Sequence, residues 1–284
     1  AQLSRGLGDV YKRQLQDGGS LFYKTYGNSS AHPVLCMHGL TRNSKDFNEL
    51  AEYLSDEFFV ITADQRGRGE SSYIEDHQKY TPKTYISDMY ELIQSLNFKE
   101  CYLIGTSMGG FMAMTMSAMN SVLFPKIVLN DCGPEIHQVG IDKISTYLGK
   151  NESFENIDEA VAILKTRHES NFPSLTDTDW KRYCTNNLKI NEDHSYNFDY
   201  DQNIRVVYET AKLNLGDMWN IWEEINSNIF VIRGALSQLL SESTFKKMQA
   251  KENVISLEIP DTGHAPLLTS KFELDSIKAF LLSH

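Results

Sequence analysis

The chain has 284 residues, 41% of them hydrophobic, and a formal net charge of −11. That is enough for one large core with a smaller inserted unit. The acidic balance argues against nucleic acid or an anionic membrane as the main partner, and no apolar run approaches the length of a membrane span. Four cysteines, Cys36, Cys101, Cys132 and Cys184, lack metal-ligand spacing, and three lie in or beside apolar runs. They predict reduced core thiols and a cytoplasmic protein.

Residues 1–14 resemble translated sequencing-adapter remnants and show no signal-peptide pattern. They are expected to be a non-native leader, which would leave the first strand of any sheet missing or improvised. Leu21 to Gly27 is a short aromatic strand, and Val34 to Met37 is apolar throughout, as in a strand buried on both faces. It stops at His38-Gly39, where His38 is expected to hold the loop by hydrogen bonds. Ser44 is expected to cap a helix over about 46–54.

The next apolar strand, Phe58 to Ala63, runs into Asp64-Gln65-Arg66-Gly67-Arg68-Gly69-Glu70-Ser71. Gly67-x-Gly69 after a strand invites comparison with a dinucleotide fingerprint. The comparison fails, because Ser72 stands in for the third glycine and the glycines lie past the strand end. The segment reads as a charged turn, pinned by Asp64 and the arginines, that shapes the floor of a site. Thr81-Pro82 opens a helix to about Leu96 with Tyr85, Met89, Leu92, Ile93 and Leu96 on one face.

Tyr102 to Ile104 then enters Gly105-Thr106-Ser107-Met108-Gly109, and a helix-competent run from Phe111 to Met119 leaves it. This is G-x-S-x-G in the strand–turn–helix setting of a nucleophile elbow. A serine hydroxyl is a weak nucleophile until a base takes its proton, so it must stand where a histidine can reach it. A sharp turn does this, and side chains at Gly105 and Gly109 would collide. The methionines of the following helix read as core filler. Lys126 to Leu129 is another buried strand, ending in Asn130-Asp131-Cys132-Gly133-Pro134-Glu135.

From 135 to 216 the composition turns charged and aromatic, with Trp180, Tyr183, Tyr196, Phe198 and Tyr200. Interrupted helical patterns without a buried strand predict a helical cap, leaving 15–134 and 217–284 as the core. His137, His168 and His194 lie in the cap without metal-ligand spacing. Trp180 and Tyr183 are the expected apolar wall for a substrate. Ile229 to Gly234 and Val254 to Ile259 are the last strands, with a helix over about 242–250 between them. A glycine–histidine turn, Gly263-His264-Ala265-Pro266, precedes a closing helix over about 274–282.

Strands alternating with helices predict a mostly parallel sheet with helices on both faces. His-Gly-Leu, Asp-Gln-Arg-Gly-Arg-Gly-x-Ser, Gly-Thr-Ser-Met-Gly-Gly, Asn-Asp-x-Gly-Pro-Glu and Gly-His-Ala-Pro, in that order, resemble the α/β-hydrolase fold family, in its esterase and meta-cleavage-product hydrolase branch. The resemblance runs from about residue 20 to the end. It implies Ser107 as nucleophile, His264 as general base, and the backbone N–H groups of Leu40 and Met108 as an oxyanion hole. It implies no metal and no organic cofactor. The activity implied is hydrolysis of carboxylic esters with small or medium acyl groups, by a monomer or homodimer acting on a small-molecule ester. Carbon–carbon hydrolysis of vinylogous diketones and non-catalytic ligand binding are the alternatives.

One position departs from the pattern. The family usually shows Arg-Gly-x-x-Ser-Asp-Leu-Leu after the strand at 229–233, with that aspartate as the acid, and here the position is Gln238. Asp131 is the leading substitute, Gln238 a weakened third member, and Glu242 and Asp261 the remaining options.

Overall fold

Successive side chains of a strand point to opposite faces, so a run that is apolar at every position must be covered on both sides. The chain meets this demand with helices above and below one sheet. The computed structural model describes residues 8–210 and 217–283. Its strands are β1 (Asp9–Gln14), β2 (Ser20–Tyr26), β3 (His32–Met37), β4 (Phe58–Ala63), β5 (Tyr102–Thr106), β6 (Lys126–Asn130), β7 (Ser153–Phe154), β8 (Leu188–Ile190), β9 (Tyr196–Phe198), β10 (Asn228–Gly234) and β11 (Val254–Ile259). The helices are α1 (Asn48–Leu54), α2 (Pro82–Ser95), α3 (Met108–Met119), α4 (Gln138–Ser145), α5 (Ile157–His168), α6 (Asp177–Asn187), α7 (Arg205–Thr210), α8 (Trp219–Glu223), α9 (Glu242–Met248) and α10 (Lys271–Leu282).

The main sheet has eight strands in the order β1-β2-β4-β3-β5-β6-β10-β11. β1 pairs β2 and β2 pairs β4 antiparallel, and every other pair is parallel. On one face Val34, Cys36, Val60, Ile104, Val128 and Ile232 pack on α1 and α10. On the other, Leu35, Met37, Ile61, Leu103, Ile127 and Val231 pack on α2, α3, α8 and α9. Period-2 alternation thus divides one set of apolar strands between two helical layers.

Residues 9–14, set aside in the sequence reading, form the antiparallel edge strand β1 with every side chain exposed. The first strand is present, although it buries almost nothing. Residues 1–7 of the expected leader and 211–216 of the expected cap lie outside the described residues. The cap also differs from expectation, since besides helices it carries a three-stranded sheet, β7-β9-β8. Those strands are two or three residues long, too short to show as apolar runs. The turn before α1 is capped by Asn43, whose side chain accepts from Lys45 N–H. Ser44 instead donates its N–H to Asp64 Oδ1 at 2.7 Å.

Candidate active site

The site is assembled at the C-terminal ends of β5, β6 and β11, where open sheets of this kind present their ligand crevice. Ser107 sits between β5 and α3 with φ 53° and ψ −115°, a conformation that costs a non-glycine residue about 1–3 kcal/mol. The surroundings enforce it. A Cβ on Gly109 would lie 1.9 Å from the Met37 carbonyl oxygen, and one on Gly105 would lie 2.3 Å from that of Gly109. Two bare backbones therefore let α3 press against β3 and β5, which is why the turn is sharp. Ser107 N–H donates to Asn130 O at 2.9 Å, tying the turn to β6.

His264 Nε2 lies 2.9 Å from Ser107 Oγ, and its Nδ1 lies 2.6 Å from Asp131 Oδ2. Asp131 is wholly buried and follows the last residue of β6 with φ 52°. Its carboxylate also accepts from Ser237 Oγ at 2.5 Å and from Gly234 N–H at 3.0 Å. The carboxylate contact of the imidazole is therefore Asp131. Gln238 is exposed on the wall of the same cavity and makes no hydrogen bond to His264. Glu242 pairs with Lys246 at the surface, and Asp261 is exposed. Such a hydroxyl–imidazole–carboxylate line can move the serine proton onto a ring whose positive charge the buried anion stabilises.

The Gly39–Leu40 loop faces the serine, a Cβ on Gly39 coming within 3.7 Å of Ser107 Cβ. Met108 is the first residue of α3, where the helix itself supplies no acceptor for the N–H. Among the described residues neither Leu40 N–H nor Met108 N–H donates to a backbone carbonyl outside a helix. His38, fully buried, places Nδ1 2.8 Å from Gly39 O and accepts Gln65 N–H at Nε2, 3.0 Å away. Burial, reinforced by Arg68, pushes its pKa down to about 3. It is a neutral strut under the loop.

The charged turn does more than form a floor. Asp64 accepts Ser44 N–H and Glu70 N–H. Arg66 makes a bidentate pair with Asp88 at 2.8 Å. Arg68, fully buried and lying over the Tyr85 ring, donates from Nε to Leu40 O at 2.8 Å. The same turn receives the cap, with Gly69 N–H donating to Asp199 O at 3.1 Å and Asp201 N–H to Gly67 O at 2.7 Å.

Core and cap enclose a cavity of about 690 Å³ that reaches Ser107 and His264. Tyr183 lines it, beneath the Arg42 guanidinium 4.1 Å above its ring. Trp180 does not. It is 1% exposed and packs edge-on to Phe172 and Tyr183 behind the wall. On α6 the apolar pattern could not say which aromatic faced the core of the cap and which the cavity.

Two supporting residues, Ser237 and Asn130, had no expected role of their own in the sequence, whereas Arg68 was among the arginines expected to pin the charged turn. All three lay inside recognised motifs, so their positions carried a signal. The Asn130 amide donates to Thr106 Oγ1 at 3.0 Å and to Pro266 O at 2.9 Å, bridging the strand of Ser107 to the loop of His264, a contact no motif specifies.

A parallel sheet wound with helices, carrying this line of groups above it, defines an α/β hydrolase. Residues 32–271 match the family model described as alpha/beta hydrolase fold, and the chain belongs to that family. It is 33% identical over 254 residues to the 3-hydroxybutyrate-oligomer hydrolase of Cupriavidus necator, covering 86% of each chain. It is 26% identical to the 2-(acetamidomethylene)succinate hydrolase of Mesorhizobium japonicum, covering 81% of each. Among solved structures, an alpha/beta hydrolase from Novosphingobium aromaticivorans superposes with a TM-score of 0.92 at 32% identity, over 97% of this chain and 99% of that one. Among the described residues no helix is long and apolar enough to cross a membrane.

Proposed function

We propose that the chain is a serine hydrolase of carboxylic esters with small or medium acyl groups, acting through an acyl-enzyme. The observation that carries this reading is the unbroken line Ser107–His264–Asp131, at 2.9 and 2.6 Å, beside two unspent N–H groups. Ser107 Oγ attacks the ester carbonyl carbon while His264 Nε2 takes its proton. Leu40 and Met108 N–H groups receive the oxygen as it becomes anionic. The tetrahedral adduct collapses, the alkoxide leaves with the proton from His264, and a water activated by the same ring releases the acid. A relative named for a hydroxy-acid oligomer supports the ester class. Four unpaired, buried cysteines support a cytoplasmic setting.

The binding-only alternative drew on the amide at position 238. That ground weakens, because the Asp131 carboxylate, just past β6, lies 2.6 Å from His264 Nδ1. Turnover of p-nitrophenyl esters with Ser107→Ala as control is the test, together with labelling by a fluorophosphonate. Turnover that persists in the alanine variant, or a folded protein that the probe leaves unlabelled, would end the reading.

A further inference from the structure

The cavity is rich in cations although the chain is acidic. Four of them are already matched. Arg42 pairs with Asp46 at 2.6 Å, Lys45 with Asp199 at 3.2 Å, Arg167 with Glu152 at 2.6 Å, and Arg182 with Asp179 at 2.6 Å and also with Glu49. Two lining lysines, Lys143 and Lys150, have no carboxylate partner among the described residues. Lys150 is exposed to water, whereas Lys143 is half-buried. A lysine in the last turn of α4 is favoured by the helix dipole, but that does not require it to line a cavity. Burial lowers the Lys143 ammonium from its ordinary range. Burial first, and then the charges of Lys143 and Arg167, lower the His168 imidazole that also lines the space. His168 therefore supplies no matching anion, and of the two unpartnered lysines Lys143 is the one withdrawn from water. A partly desolvated ammonium without an anion is an unfavourable arrangement, which an incoming carboxylate would reverse.

We propose that Lys143 is a specificity-determining residue, and that the ester cleaved at Ser107 carries a free carboxylate which Lys143 binds on the cap side of the cavity. The substrate class is then an ester of a hydroxy acid or a diacid with one ionised end. This rests on the serine-hydrolase reading, so the test must separate the two. Two alkyl fluorophosphonates of equal length, one ending in a carboxylate and one in a carboxamide, are compared by their rates of labelling at Ser107. Wild type is expected to favour the carboxylate by about ten- to a hundred-fold, the range for a hydrogen bond to a charged group. In Lys143→Ala the ratio should fall close to one, in Lys143→Glu below one, and in Lys143→Arg it should largely survive. Equal rates in wild type, or an unchanged ratio in Lys143→Ala, would overturn the assignment while leaving Ser107 a working nucleophile. If neither probe labels folded protein, the hydrolase reading fails and the assignment with it.

Discussion

Asp131 places its carboxylate 2.6 Å from His264 Nδ1, where the family's usual acid would reach from position 238. In the proposed mechanism the ring of His264 becomes cationic as it takes the serine proton, and a carboxylate stabilises that charge while holding Nδ1–H. In a protease, the amide replacement of the triad aspartate cost about ten-thousand-fold in turnover. Asp131→Asn should therefore lose on the order of a hundred- to ten-thousand-fold in kcat. Gln238→Ala, which removes no hydrogen bond to the ring, should stay within a few-fold on a short neutral ester. A mild Asp131→Asn variant would reassign the acid. His38 leads to a prediction about stability rather than turnover. Its folded pKa, pushed to about 3, is far below the unfolded value of about 6.5. Between those limits the unfolded chain binds a proton that the folded one refuses, so the contribution is full above about pH 6.5 and drains as pH falls. Urea titrations from pH 7 to 4 should give wild type a pH slope steeper than that of His38→Gln by up to about 1.4 kcal/mol per pH unit. Parallel slopes would mean that His38 is protonated in the fold.

At the level of elements, legibility followed the strength of the local signal. The buried strands, α2 and the elbow could be read directly, because uninterrupted apolar runs, a Thr-Pro start and paired glycines each permit one local conformation. What could not be read was weak in sequence. β1 is exposed throughout, the cap strands are two or three residues long, and the identity of the acid depends on which strand ends meet in space. The register Thr106↔Asn130 across β5 and β6 is what brings Asp131 within reach of the histidine serving Ser107, and pairing register is a property of the folded sheet. The elbow makes a sharp demand on its glycines. Gly109→Ala should abolish ester turnover and lower the melting temperature, since its Cβ would meet backbone that cannot yield. A well-folded, active alanine variant would show that α3 can shift off β3. In the cap, Tyr183→Ala should alter the ratio of rates across a ladder of acyl lengths. Trp180→Ala should instead cost about 3–5 kcal/mol of stability, as removal of a large buried side chain does. Matched ratios in wild type and Tyr183→Ala would remove Tyr183 from the substrate wall.

For the whole molecule, the turn from Asp64 to Ser71 touches both halves of the enclosure. Through Arg68 it holds the carbonyl of Leu40, and through Gly67 and Gly69 it holds the backbone of Asp199 and Asp201. Tyr80 OH, donating to Asp201 Oδ2 at 2.5 Å, and Asn43, donating to Asp199 Oδ2 at 3.1 Å, fasten the same junction from the core side. The segment carrying Asp199 and Asp201 and the Gly39–Leu40 loop therefore rest on one turn. Replacing residues 136–216 by a short linker should give a protein that keeps its sheet by circular dichroism yet labels with a fluorophosphonate far more slowly than wild type. Labelling at the wild-type rate would show that the loop stands alone. For anyone exchanging lids between relatives to move substrate preference, the practical unit of exchange is then the lid together with the turn beneath it, cut where the chain leaves β4 rather than where the cap begins.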